Sequence, residues 1–161
     1  MSRDRQGQSI DARLIWLGPV AVLASLAAVL MVRFIAVAVL QPDPSFKPLT
    51  VLPAIVDTTV LVALAVLVFR QVVAGGGNFS GPLLGPLGLL SSGLSFPLDP
   101  IRAYKTLAVR VLLVSFLPDI AIAVTEPGRW PYALALATMH VAAWAACVST
   151  LTNLTGKDAS R

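Results

Sequence analysis

Residues 14–40 read LIWLGPVAVLASLAAVLMVRFIAVAVL, an apolar run in which Arg33 is the one charged residue. A helix needs about 20 apolar residues to span about 30 Å of hydrocarbon, so this run is long enough to cross a bilayer. It is too long for the apolar region of a signal peptide, and no clear A-x-A cleavage site follows it. Because backbone polar groups in lipid must be satisfied within the segment, we expect an uncleaved transmembrane helix.

Three further apolar segments, at residues 51–70, 103–124 and 130–151, have lengths that also suit membrane helices. The chain is 57% hydrophobic and 12% charged, whereas an average soluble domain is about 25% charged. Lipid must therefore be much of its solvent. The predicted fold class is all-α, a polytopic membrane four-helix bundle forming a single transmembrane domain over residues 1–161.

The basic residues give the predicted helices an orientation. If four helices cross and the N-terminus is cytoplasmic, the outer side carries Lys47 and Arg129. The cytoplasmic side then carries Arg3, Arg5, Arg13, Arg70, Arg102, Lys105, Lys157 and Arg161. This asymmetry follows the positive-inside rule. We therefore expect a multi-pass protein of the bacterial inner membrane with both termini in the cytoplasm.

The segment at residues 75–100, GGGNFSGPLLGPLGLLSSGLSFPLDP, is the difficult part of the topology. Residues 80–98 are apolar and nearly long enough to span, but their prolines and glycines weaken a helix. A fifth crossing would move four basic residues to the outside and remove the charge asymmetry. We prefer a Gly/Pro-rich interfacial or re-entrant segment on the cytoplasmic side between helices 2 and 3, and a fifth crossing is the alternative.

Each predicted helix carries an ionisable residue within the hydrocarbon, where an unpaired charge is costly. At about 1.5 Å per residue, Arg33, Asp57 and Asp119 lie about 8–10 Å below the outer surface, and His140 lies about 14 Å below it. If these faces converge, Arg33 pairs with Asp57 or Asp119, and His140 reaches the same cluster. The cluster is then an ion-pair network that fixes helix register, or a polar site for a proton, ion or small ligand. The remaining alternative is that the faces do not converge.

Two more residues of the third predicted helix have structural interpretations. Pro118 lies inside an apolar stretch and predicts a helix kink, since proline has no amide hydrogen to donate. Arg110 lies near the inner end, where its long side chain can extend to the headgroups. We interpret Arg110 as a cytoplasmic anchor.

Several kinds of chemistry can be excluded from the residue inventory. One cysteine, Cys147, and one histidine, His140, do not provide the usual number of metal ligands, so we expect no metal and no cofactor. The glycines at 75–77 are not followed by GK[ST], which a phosphate loop requires, and no G-x-S-x-G motif is present. No Lys/Arg run of the nucleic-acid-binding type occurs.

Short motifs give the chain a family resemblance. The first loop reads PSFKPLT, the third helix opens on Tyr104-Lys105 and continues to LLVSFLP at residues 112–118, and the fourth carries Met139-His140. Together these motifs resemble a family of small four-helix bacterial membrane proteins, largely actinobacterial, whose function is uncharacterised. The resemblance covers about residues 12–155, and residues 80–98 look like an insertion. It implies the four-helix architecture and supplies no activity or catalytic residue.

Three functions are compatible with this inventory. The favoured one is a non-enzymatic structural or accessory bundle, because the short loops leave no room for a soluble catalytic domain. The alternative is a small transporter or proton/ion-coupled carrier that uses Arg33, Asp57, Asp119 and His140. A membrane-embedded enzyme is the third, with Asp57 and Asp119 as its only carboxylate pair. The lipid bilayer is the expected partner, beside a second copy or another membrane protein.

Overall fold

The computed structural model describes residues 2–42, 49–74, 99–126 and 128–156, and side chains within residues 16–42, 49–73, 99–126 and 128–153. The predicted interfacial segment falls almost wholly outside the described residues. Lys47 and the basic residues of both termini also lie outside the described side chains.

The described residues are helical almost throughout and contain no strand. The helices are α1, Ser2–Leu40; α2, Val51–Ala74; α3, Pro100–Ser115; α4, Leu117–Thr125; and α5, Trp130–Gly156. They provide four spans long and apolar enough to cross a membrane, Trp16–Leu40, Val51–Val73, Pro100–Thr125 and Trp130–Asn153. The predicted all-α four-helix architecture is therefore confirmed, and the chain has the build of a multi-pass membrane protein.

The third span consists of two helices, α3 and α4, that meet at Phe116. Proline at 118 cannot donate a backbone hydrogen bond, and its ring crowds the carbonyl of residue 114. The backbone amide of Phe116 instead reaches the carbonyl of Leu113 at 3.4 Å, and α4 starts with an Ile120-to-Phe116 bond of 2.9 Å. The interruption thus lies two residues before Pro118, and Asp119 falls in the first turn of the new helix.

A tight connection joins α4 to α5. Gly128 has a φ of +88°, a left-handed conformation that glycine adopts without a steric penalty. The Arg129 guanidinium contacts the Glu126 carboxylate at 2.7 Å, and the Arg129 amide donates to the Glu126 carbonyl at 3.1 Å. The two helices are therefore antiparallel neighbours, which places Asp119 and His140 on adjacent elements.

Two clusters of buried side chains hold the bundle together. The larger lies at the end where α2 finishes and α3 begins, and its bulkiest members are Phe69, Tyr104, Leu107 and Leu151. The smaller lies toward the opposite end and is formed by Val29, Leu49, Ala54 and Met139. Many large apolar side chains point outward, as expected when the surrounding medium is hydrocarbon.

Candidate functional site

Asp119 and His140 form an ion pair or hydrogen bond between the third and fourth spans. The Asp119 Oδ2 atom lies 3.0 Å from Nδ1 of His140. Asp119 is only 5% exposed, and the side chain of His140 is 32% exposed. The helix restart at Leu117 puts the carboxylate in the first turn of α4, where the helix dipole favours a negative charge.

Arg33 makes a different contact from the one that its depth suggested. Its Nε atom donates to the backbone carbonyl of Leu49, just before α2, at 2.8 Å. Asp57 is exposed on the outside of α2. Among the described residues, no ion pair joins Arg33 to Asp57 or to Asp119. The structure therefore brings together two members of the predicted cluster, Asp119 and His140, and leaves Arg33 and Asp57 apart from them.

The carbonyl contact of Arg33 leads to a prediction. We expect Arg33→Met to lower the free energy of unfolding by about 1 kcal/mol, because the Leu49 carbonyl loses its charged donor. Asp57→Asn is the matched control: it also removes one charge from a candidate membrane span, but its side chain is exposed. Unfolding of both variants by denaturing detergent, followed by circular dichroism, compares them. A larger loss for Asp57→Asn would contradict this assignment.

A groove of about 210 Å³ runs along the bundle between α2, α3 and α5. Its lining is almost entirely apolar. The exposed lining residues Leu61, Leu64 and Val111 show that it opens on the side of the bundle. We call it the lateral groove. Its lining is Leu61, Val62, Leu64, Ala65, Val68, Tyr104, Leu107, Ala108, Val111, Leu112, Ser115, His140, Ala143, Trp144, Cys147 and Val148.

Tyr104 lies at the end of the lateral groove remote from His140. Its hydroxyl is 3.8 Å from Sγ of Cys147, and its ring meets that of Phe69 edge-on, with centroids 4.8 Å apart. Tyr104 is only 2% exposed. The sequence signal that Tyr104 faces the groove is its spacing from Leu107 and Val111, which places the three residues on one helical face.

Two polar groups of the lateral groove have unused hydrogen-bonding capacity. The Nε1 atom of Trp144 is buried and has no hydrogen-bond partner among the described residues. His140 uses Nδ1 toward Asp119, and no contact of its second ring nitrogen occurs within the described part of the chain. Ser115, by contrast, donates to the carbonyl of Leu112 at 2.7 Å.

The described residues contain no cluster of three or more His, Cys, Asp or Glu side chains that could hold a metal ion. Arg110 is half-buried ten residues into α3, about 15 Å from its start. Its side chain is not without an interaction partner. Its role as an anchor stays a prediction.

No family model, curated protein or solved structure matches the chain.

Proposed function

We propose that the protein is a non-enzymatic membrane bundle with a structural or accessory role in the bacterial inner membrane. The supporting observation is that three polar side chains inside the spans, Asp119, Ser25 and Arg33, make contacts within the bundle. Asp119 pairs with His140 across two spans, and Ser25 Oγ donates to the carbonyl of Ala143 at 3.3 Å, joining α1 to α5. Arg33 binds the carbonyl that precedes α2. Such contacts fix the positions of the helices relative to one another.

The proposal includes an orientation with both termini in the cytoplasm. Arg70, Arg102 and Lys105 are exposed where α2 ends and α3 begins, which favours this end as the cytoplasmic one. Alkaline phosphatase, active only outside the cytoplasm, tests this when fused after residue 161 or inserted at Gly128. We expect activity only for the insertion at Gly128. Activity at residue 161 would overturn the orientation.

An accessory role also implies a partner in the membrane, either a second copy of the chain or another membrane protein. The resemblance to the four-helix bacterial family supports the same assignment without adding an activity. The membrane partner and the membership of this family are both part of the proposal.

The alternative is a proton- or ion-coupled carrier that uses Asp119 and His140. The observation that favours it is the partial exposure of His140 to the lateral groove. The apolar groove lining weighs against it, because an ion path needs polar groups or water along its length.

A flux measurement separates the two functions. Purified protein is placed in liposomes that contain a pH-sensitive dye, and an imposed pH gradient is followed with time. For an accessory bundle we expect the gradient to decay as slowly as in empty liposomes, for wild type and for Asp119→Asn alike. Faster decay in wild type that Asp119→Asn abolishes would establish the carrier instead.

A further inference from the structure

We propose that Asp57, on the outward face of α2, pairs with Arg33 of a second copy of the chain, so that two copies form a symmetric dimer in the membrane. This inference deepens the proposed accessory role and depends on it for the presence of a membrane partner. Three observations support it: the exposure of Asp57 within a span, the unused nitrogens of Arg33 and the matching depths of the two residues.

The Asp57 side chain is exposed inside a membrane span. The residue lies on α2, within the candidate span Val51–Val73 and about 9 Å from its start. No hydrogen bond or ion pair of its carboxylate occurs within the described part of the chain. Ionisable side chains in membrane spans are costly, and almost all of them face protein or a water-filled cavity. The position of Asp57 therefore indicates a protein partner that carries a positive charge.

Arg33 has the hydrogen-bonding capacity that such a partner needs. Its guanidinium has five N–H donors, and the Nε donor is used on the carbonyl of Leu49. The two Nη nitrogens make no contact among the described residues. They form a planar fork that can bind both oxygens of a carboxylate. Arg33 can thus keep its bond to Leu49 and bind a carboxylate of a neighbouring molecule at the same time.

The depths of the two residues match. Arg33 lies seven residues before Leu40, the end of α1, or about 10 Å, and Asp57 lies about 9 Å after Val51, the start of α2. The bond from Arg33 to Leu49 shows that these two helix ends lie side by side. A two-fold axis along the membrane normal keeps every residue at its depth, so Arg33 of either copy can meet Asp57 of the other. One symmetric interface then pairs both arginines and both aspartates.

The face of α2 that carries Asp57 also offers an apolar surface for the second copy. Val60, Leu64 and Leu67 follow Asp57 at helical spacing, and all three are exposed. In lipid, helices associate through side-chain packing and polar contacts between them. The apolar side chains can supply the packing, and the charge pair determines which helix is recognised.

The first experiment measures association in a bilayer. Full-length chains fused after residue 161 to a donor or an acceptor fluorescent protein are reconstituted in phosphatidylcholine vesicles, and energy transfer is followed as lipid dilutes the protein. Vesicles are used because denaturing detergent separates the chains. Wild type is compared with Asp57→Leu and with a matched control, Lys47→Gln. Lys47 is a cation four residues before the start of α2, so the control also removes one charge near this end of the helix.

We expect wild type to show energy transfer that depends on its density in the bilayer. Asp57→Leu should need about tenfold more protein per lipid to associate, whereas Lys47→Gln should stay within about twofold of wild type. Absence of association in wild type would overturn the proposal and leave another membrane protein as the partner of Asp57. Equal losses for Asp57→Leu and Lys47→Gln would also overturn it, because the effect would then not be specific to the pair.

The second experiment exchanges the charges between copies. Asp57→Arg has arginine at both positions and Arg33→Asp has aspartate at both, so each variant alone should lose association through like-charge repulsion. A mixture of donor-labelled Asp57→Arg and acceptor-labelled Arg33→Asp restores both pairs, and we expect energy transfer to return. No recovery between two variants that keep the helical circular dichroism of wild type would overturn the pairing. Asp57→Leu leaves Arg33 unchanged, so the first experiment decides the proposal even if Arg33→Asp does not fold.

Failure of the dimer and failure of the accessory role give different results. A chain that is monomeric in vesicles and leaves an imposed pH gradient intact overturns the dimer alone. A dimer that dissipates the gradient overturns the accessory role alone.

Discussion

His140→Leu is expected to lower the free energy of unfolding by about 3–5 kcal/mol, the largest effect of any substitution proposed for this protein. His140 provides the only polar contact of Asp119 among the described residues, at 3.0 Å, and Asp119 is 5% exposed. Leucine occupies a similar volume and cannot donate to the carboxylate. The buried Asp119 carboxylate is therefore left without a hydrogen-bond donor, and this accounts for the lower free energy of unfolding.

The matched control is the double variant Asp119→Leu/His140→Leu. When both partners of a buried pair are replaced by apolar groups, the result is often near neutral, because no uncompensated charge remains. We expect the double variant to regain most of the stability that His140→Leu loses. Unfolding in mixed detergent micelles, followed by helical circular dichroism, measures all three proteins. If the single variant is as stable as wild type, the pair does not stabilise the bundle.

The same pair shows how much of the site could be predicted from the sequence. Counting residues at about 1.5 Å each predicts similar depths for Asp119 and His140, and in the structure their side chains are in contact. The count gives no information about rotation around the helix axis. Asp57 has a depth similar to that of Asp119, yet its side chain faces outward because of how α2 packs. Arg33 contacts the backbone carbonyl of Leu49 instead. A pattern of charged residues in the sequence cannot predict a contact with a backbone group.

The lateral groove was harder to predict. Each of its walls has a helical stripe visible in the sequence, such as His140, Trp144 and Cys147 on α5, but stripes of this kind usually mark an ordinary core. The groove lies between α2, α3 and α5, which share far fewer contacts with one another than α1 and α5 do. That difference in packing depends on the whole bundle, so four well-predicted helices were not enough to find it.

The packing of α1 against α5 carries the second prediction. Ala21, Ser25 and Val29 are buried at spacings of four residues, which places them on one face of α1. The hydrogen bond from Ser25 Oγ to the Ala143 carbonyl shows that the backbone of α5 comes close to this face. In lipid, helices associate through such close packing, because burying apolar surface against another helix gains little over contact with lipid tails.

Ala21→Leu is therefore expected to lower the free energy of unfolding by about 2–3 kcal/mol, because Ala21 is fully buried and the larger side chain must separate the helices or adopt a strained rotamer. Ala27→Leu is the control, since Ala27 is exposed on the same helix and leucine there projects into lipid. We expect it to remain within about 0.5 kcal/mol of wild type. The same detergent unfolding measurement compares the two. Equal stability of the two variants would mean that the close approach of α1 and α5 does not limit side-chain size at Ala21.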